Sequence, residues 1–368
     1  MKINQLDLFS GIGGFHLGFE RAGYEVTSYF SEVDKHAIAV YKHQFPNSTY
    51  VGSVTDVRGA DLPRIDLITF GSPCQDFSLA GKRLGMEGQR SSLVLEAIRL
   101  ITECRPRVFV WENVKGTFSS NSGEDFAAIL QAFANIGGYR LEWQLLNTSW
   151  FLPQNRERIY LVGYSTTTGG DWRGVFSIEE GNKLSNGMAS ERQTSACITT
   201  SYHKGVNYDN QLIKVKSATS DGYEQAQVGD SINLSQPNSE TRRGCVGKQK
   251  AQTLETSCNQ AVVQPVQIGQ SSKTYAAQNG TLIGKDGQDA FTIRSSNPNG
   301  VNDGYRIRRL TPIECERLQG FPDQHTAYGN YDGEVKPMSN TQRYKQCGNA
   351  VTVDVVAAVA KNCLPLFK

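Results

Sequence analysis

IDLITFGSPCQDFS, residues 65 to 78, decides how the rest of the chain is read. IDLITF is apolar almost throughout and short, the pattern of a strand buried on both faces. It does not exit through a hairpin. Gly71, Ser72 and Pro73 stop the strand, and Pro73 fixes the backbone immediately before Cys74. A thiol in a core needs no such mounting. A nucleophile does, because it must be exposed, fixed in direction and close to its substrate.

Outward from that strand, apolar runs alternate with helical patterns. Upstream lie a strand over Ile3–Phe9, a helix over Gly13–Gly23, a strand over Glu25–Glu32, a helix over Asp34–Phe45 and the short strand-like STYVGSV. Downstream lie a helix over Ser91–Cys104, a strand over Arg107–Val114 and a helix over Phe126–Gly137. LEWQLLN and RIYLVGY then suit an antiparallel pair. This alternation predicts an α/β fold, a mostly parallel sheet covered on both faces. Phe9, Glu32, Pro73-Cys74 and Glu112-Asn113 then all fall at carboxyl ends of parallel strands, the edge where open α/β sheets bind ligands.

At about Ser165 the texture changes. Residues 165–305 are rich in Ser, Thr, Asn, Gln and Gly and read as a smaller, β- and loop-rich domain. A loose phrase recurs there, in SACITTSYHKGV (195–206), KAQTLETSCNQAV (250–262) and DAFTIRSSNPNGV (289–301), at the level that chance among Thr/Ser-rich strands also produces. From residue 306 order returns. Thr311, Pro312 and Glu314 predict an N-cap, a first-turn proline and a capping box. Asn349–Cys363 reads as a final apolar helix that packs back on the first domain, residues 1–164.

The 368 residues carry a formal net charge of +2, which neither suggests nor excludes a nucleic-acid partner. The eight cysteines are scattered, with no ligand spacing for a metal and no disulfide framework. The N-terminus lacks a signal-peptide core and no run suggests a membrane span, so a cytoplasmic protein with no membrane partner is expected.

The motifs FSGIGG, GSPCQDFS, ENV (Glu112–Val114), QNRERIYLVG, RRLTPIECERLQGFP and QCGNAV together resemble, in order and approximate spacing, the DNA cytosine-5 methyltransferase family of bacterial and phage restriction-modification type. The resemblance covers essentially everything outside 165–305. It implies a Rossmann-like, S-adenosylmethionine-dependent methyltransferase fold that yields S-adenosylhomocysteine and uses no metal. It implies Cys74 as the nucleophile toward carbon 6 of cytosine. Glu112 would face N3 and the exocyclic amine, Arg158 would hold O2, and Arg156 would support the Cys74 loop or a phosphate. The cofactor would meet Phe9, Gly11, Gly13, Glu32, Val33, Ser53, Val54, Asp56, Pro73, Leu93, Asn349 and Val351. Val33 stands where the family often has a large aromatic residue, and Ser53 or Asp56 stands in for its usual Gly-Asp.

The cytosine would be flipped out of double-stranded DNA. GKRLGMEGQRSS (Gly81–Ser92) would close over it, with Gln89 or Arg90 at the vacated position. Residues 165–305 would be the target recognition domain, with Arg242-Arg243 as a candidate contact to phosphate or guanine. A monomer is expected, with any cognate restriction endonuclease encoded separately. A tRNA cytosine-5 methyltransferase and a catalytically silent DNA-binding protein on the same fold are the alternatives.

Overall fold

A computed structural model of the chain describes residues 1–72, 92–167, 174–179, 213–235, 241, 244–257, 259–265 and 305–367. The chain divides into two compact units. The larger comprises Met1–Thr194, Thr253–Cys258 and Thr311–Lys368; the smaller comprises Ser195–Gln252 and Asn259–Leu310. Short pieces of the span 165–305 thus lie with the larger unit, among them 174–179 and 253–257.

In the larger unit the strands are β1 (Lys2–Leu8), β2 (Glu25–Ser31), β3 (Thr49–Tyr50), β4 (Leu67–Gly71), β5 (Val108–Val114), β6 (Tyr139–Asn147), β7 (Gln154–Asn155) and β8 (Glu157–Ser165). Seven of them form one sheet in the order β3-β2-β1-β4-β5-β8-β6. The first five run parallel, and β8 enters antiparallel to both β5 and β6. The expected antiparallel pair is present, with Leu141 opposite Gly163.

Strand residues alternate between two apolar layers. Leu67, Val108 and Val110 pack with Phe15, Phe19, Val355, Val356 and Val359, which come from α1 (Gly14–Arg21) and the terminal helix Val353–Cys363. Ile68, Phe70, Phe109 and Trp111 face the other way, onto α3 (Ser92–Cys104) and α5 (Glu124–Ala134), through Ala97, Leu100, Ile101 and Phe133. Between these helices lie α2 (Lys35–Gln44) and the one-turn α4 (Gly116–Ser119). The terminal helix packs tightly against Gly18 of α1. A Cβ there would stand 2.4 Å from Val356 Cγ1.

Among the apolar strand ends sits a buried polar chain. Gln5 Nε2 donates to Thr69 Oγ1 (2.7 Å), Thr69 Oγ1 donates to Asp7 Oδ1 (2.8 Å), and Tyr41 OH donates to Asp7 Oδ2 (3.3 Å). Asp7 is fully buried, and burial pushes its carboxyl up to about 8, against the pull of the Thr69 and Tyr41 hydrogen bonds. The folded chain therefore keeps a proton that the unfolded chain releases from about pH 4 upward. The stability this group contributes is complete in acid and falls as pH rises toward about 8. Asp7→Asn is expected to flatten the dependence, so that its urea midpoint gains on wild type between about pH 5 and about pH 8. Parallel curves for the two proteins would count against a protonated Asp7.

The C-terminal segment corrects one expectation. The capping box is as predicted: Thr311 Oγ1 accepts from Glu314 N, and Glu314 Oε2 accepts from Thr311 N, ahead of the helix Pro312–Leu318. The final helix, however, does not begin at Asn349. A separate helix, Asn340–Asn349, ends there, Ala350 is extended, and the terminal helix starts at Val353. Tertiary hydrogen bonds hold the break. Thr352 Oγ1 donates to Gln319 Oε1 (3.0 Å), and Val353 N donates to Gln319 O (2.9 Å). Asn340–Phe367 is apolar enough to pass for a membrane span by composition, but 72% of its window is buried inside the protein.

The smaller unit is described by a hairpin, Ile213–Lys216 with Tyr223–Ala226, and a four-stranded antiparallel sheet. That sheet orders Val246–Gly247, Ser231–Asn233, Gln260–Pro265 and Tyr305–Arg309. Of the three recurring phrases only 250–262 falls within the description, apart from Cys258. The phrases at 195–206 and 289–301 lie outside the described residues.

Candidate active site

The site is built on the carboxyl edge of the parallel strands. β1 ends at Leu8 opposite Ser31 of β2 and Phe70 of β4, so the residues that follow each strand emerge side by side. Phe9 is turned into the left-handed region at φ 51°, and Gly11 and Gly13 follow at φ 55° and 84°. Around Gly11 the space is open: a Cβ there would meet nothing within 4 Å. The turn carries the chain over the sheet edge, with Gly11 half-buried and Gly13 buried in front of α1.

Glu32 is held in front of that turn. Its Oε2 accepts from Gly11 N (2.9 Å), and its Oε1 accepts from Val33 N (2.8 Å) and Asp34 N (3.0 Å). Tyr50 OH donates to Glu32 O (3.0 Å), which ties the strand end as well. A carboxylate fixed by three backbone N–H groups retains one acceptor site, on Oε2, for a ribose hydroxyl. Val33 beside it is 76% exposed, although it is apolar. The loop after β3 completes this end. Val54 is buried, Ser53 is half-buried and Asp56 is exposed. Leu93, in the first turn of α3, packs at the edge of the same apolar cluster as Val54 and Phe9.

The far end of the chain closes the other side of the glycine turn. Val351 sits on Gly14, where a Cβ would stand 2.6 Å from Val351 Cγ2. This contact is why α1 must begin with a glycine, and it brings Val351 to the turn that carries Phe9 and Gly11. An open Gly-rich turn, a ribose-ready carboxylate and exposed apolar surface beside it fit a nucleoside-bearing cofactor such as S-adenosylmethionine.

The catalytic end is assembled by β4, β5 and β8. Gly71, the last residue of β4, is opposite Glu112 of β5, and a Cβ on Gly71 would stand 3.2 Å from Glu112 Oε2. Glu112 is buried, and its Oε1 has no hydrogen-bond partner among the described residues. Arg158 Nε lies 3.2 Å from that oxygen, close enough for ion pairing without hydrogen-bond geometry. Burial raises the Glu112 carboxyl above the usual range, and the Arg158 and Arg156 charges pull it partly back. Glu112 is thus a buried carboxyl between Gly71 and Arg158, with Oε1 lacking a hydrogen bond among the described residues. Asn113 is spent on structure: its Oδ1 accepts from Val114 N (2.8 Å) and Thr117 Oγ1 (3.1 Å).

Arg156 and Arg158 stand two apart in QNRERIY, a spacing that predicts one shared strand face, but they do not share one. The strand breaks at Arg156, between β7 and β8. Its buried guanidinium donates to Gly348 O (3.3 Å) and Ala350 O (2.8 Å), the carbonyls that flank Asn349. It thereby fixes the segment that delivers Asn349 and Val351.

The family profile described as C-5 cytosine-specific DNA methylase matches residues 3–365. The chain belongs to that family. It is a DNA (cytosine-5)-methyltransferase. Among relatives, the orphan methyltransferase M.SPRI of Bacillus phage SPR is 30% identical, over 100% of this chain and 98% of its own. The type II methyltransferase M1.ScrFI of Lactococcus lactis subsp. cremoris is 31% identical, over 100% of this chain and 79% of its own. In fold the chain is similar to the Dnmt2 methyltransferase of S. pombe, at 16% identity and TM-score 0.57 over 99% of each chain. It is also similar to a putative DNA modification methyltransferase encoded within an E. coli prophage, at 21% identity and TM-score 0.54 over 99% of each.

Against the methyltransferase motifs, the structure brings together Phe9, Gly11, Gly13, Glu32 and Val351 around one turn, and Glu112 with Arg158 at the neighbouring strand ends. Pro73, Cys74, Gln89, Arg90, Arg242 and Arg243, and all but Ser92 of the loop Gly81–Ser92, lie outside the described residues. Sequence reasoning missed Gln154 and Gln319, both fully buried. Gln154 Nε2 donates to Leu318 O (2.8 Å) and its Oε1 accepts from Leu254 N (3.0 Å), while Gln319 Nε2 donates to Cys347 O (2.7 Å). The two amides join QNRER, LQGFP, QCGNAV and residue 254. Gly348 lies under the same passage, since a Cβ there would stand 2.7 Å from Glu255 C and Thr256 N. A signal was present in each case: a glutamine or glycine inside a short motif with no surface role to explain it.

Proposed function

We propose that this methyltransferase modifies a cytosine flipped out of double-stranded DNA, with Cys74 as nucleophile and S-adenosylmethionine as methyl donor. The observation that carries the reading is Glu112: a buried acid whose Oε1 has no hydrogen-bond partner among the described residues, beside Arg158, against the strand end from which Cys74 is three residues away. Bound at the turn of Phe9, Gly11 and Glu32, the cofactor supplies an electrophilic methyl group. The Cys74 thiolate adds to carbon 6 as Glu112 protonates N3, and Arg158 faces O2. Carbon 5, now enamine-like, would take the methyl group, with the sulfur–carbon electron pair leaving on S-adenosylhomocysteine, while Glu112 and Arg158 hold the ring. Loss of the carbon 5 proton to a base then expels the thiolate, and N3 returns its proton. Phe9, Val33, Val54, Leu93 and Pro73 line the adenosine end, Ser53 or Asp56 meets the adenine amino group, and Asn349 and Val351 complete the wall.

Residues 165–305 carry target recognition, with Arg242 and Arg243 on the DNA and Gln89 or Arg90 filling the gap left by the flipped base. The enzyme acts as a monomer in the cytoplasm of a bacterial or phage-infected cell, and any partner endonuclease is a separate chain. The test is bisulfite sequencing of unmethylated genomic DNA after incubation with enzyme and S-adenosylmethionine. Protected cytosines in a short fixed context are expected. Cys74→Ser is expected to remove protection, a loss of more than roughly 10³-fold, while duplex binding persists. Turnover by Cys74→Ser at the wild-type rate would sink the covalent mechanism. Protection confined to tRNA would reassign the substrate.

A further inference from the structure

We propose that Arg99, braced by Glu103, is a positioning residue that shapes the adenine end of the cofactor site and so sets discrimination of the purine 6-amino group. The inference rests on the assignment of the 53–56 loop to the adenine.

That loop makes few hydrogen bonds of its own. Asp56 N and Val57 N both return to Ser53 O (2.9 and 3.2 Å), after Gly52 at φ 90°. Val54 and Val57 are buried as two pegs against the α3 cluster of Ala97, Leu100 and Ile101. The side chains of Ser53 and Asp56, on either side of Val54 and Thr55, meet Thr55 Oγ1 at 2.9 and 3.3 Å. What fixes the loop comes from one face of α3. Arg99 Nη2 donates to Val54 O (3.1 Å) and to Val57 O (2.9 Å). Glu103 Oε2 accepts from Gly59 N (2.7 Å). Three backbone atoms of the 54–59 segment are thus held by two side chains one helical turn apart.

The guanidinium is itself held in plane. Its Nε donates to Glu96 Oε2 (2.8 Å) and its Nη1 to Glu103 Oε1 (2.8 Å), at i−3 and i+4 on the helix. The Gly59 N–H and the Arg99 charge hold the Glu103 carboxyl below its usual range. The approach is close: a Cβ on Gly59 would stand 2.7 Å from Glu103 Cβ. A lysine cannot replace this arrangement, because one ammonium cannot reach two carbonyls and two carboxylates in a single plane. Arg99 itself is not a catalytic residue. It acts on the ligand only through the loop, and the same helix begins directly after the segment that carries Cys74.

The test compares binding of S-adenosylhomocysteine and S-inosylhomocysteine, which has an oxygen in place of the amino group, by calorimetry on the full chain. For Arg99→Ala and Arg99→Lys the dissociation constant of S-adenosylhomocysteine should rise roughly ten-fold or more, and that of S-inosylhomocysteine should barely change. The preference between them should therefore collapse, while kcat at saturating S-adenosylmethionine stays within about two-fold. Glu103→Gln should fall between. Loss of folding in Arg99→Ala would leave Arg99→Lys to decide. An unchanged preference in the folded arginine variants overturns the proposal, provided that Ser53→Ala with Asp56→Ala abolishes it. If that double variant also keeps the preference, the adenine assignment of the loop is what fails.

Discussion

Glu112→Gln is expected to lower single-turnover methyl transfer by roughly 10²- to 10⁴-fold, the range for loss of a positioned general acid. The amide has the shape of the carboxyl and can still pair with a cytosine edge, but it cannot deliver a proton to N3. Its site is prepared for the acid. The carboxyl is buried, it lies against Gly71 and β4, and Oε1 has no hydrogen-bond partner among the described residues. Burial raises its pKa above the usual carboxylate range, while the Arg158 and Arg156 charges oppose the shift. Binding of S-adenosylhomocysteine should be unaffected, since the glycine turn and Glu32 are untouched. Rapid-quench transfer of a labelled methyl group, alongside calorimetric binding, separates the two effects. A wild-type single-turnover rate in Glu112→Gln would remove the acid from the mechanism.

The second large effect is on stability. Glu316→Ala should destabilise the protein by about 3–5 kcal/mol, read from urea unfolding, because it strands a charge. Glu316 is fully buried. Its carboxylate accepts from Gln324 N (2.7 Å), Thr326 N (3.0 Å), Thr326 Oγ1 and Arg343 Nη2 (2.8 Å). Arg343 is itself only 13% exposed in its side chain, with Nε on Thr326 Oγ1 (3.1 Å). Replacing both partners, as Glu316→Leu with Arg343→Met, should recover only the part of the loss due to the unpaired charge, because Gln324 N, Thr326 N and Thr326 Oγ1 still lose their acceptor. A single-variant loss below about 1 kcal/mol would mean that water reaches the site and that the pair is not sealed.

The two predictions differ in how visible their residues were. Glu112 stood out in the sequence because it ends a buried strand in ENV, at the edge where the strands of Phe9, Glu32 and Cys74 also end. Glu316 sits in the middle of a short amphipathic helix, and its letters read as an ordinary surface acid. Nothing local to PIECERL says that the hairpin-like turn at 324–326 and the helix of Arg343 close over it. Val351 on Gly14 and Arg156 on the carbonyls of Gly348 and Ala350 are of the same kind.

By itself the sequence determined the alternation of strands and helices, the capping box at Thr311, the delivery of Phe9, Glu32 and Glu112 to one sheet edge and, through the order of its motifs, the methyltransferase family. These are local properties. Apolar periodicity, turn chemistry and cap residues act over a few positions and can be read without knowing what lies across the molecule. Tertiary structure alone decided the break at Ala350, the separate helix Asn340–Asn349, the departure of Arg156 from its strand and the clamp of Arg99 on Val54 and Val57. Each depends on a hydrogen bond or close approach between segments distant in the chain. The donors there choose among many chemically equivalent carbonyls, and only the packing of the folded core selects one.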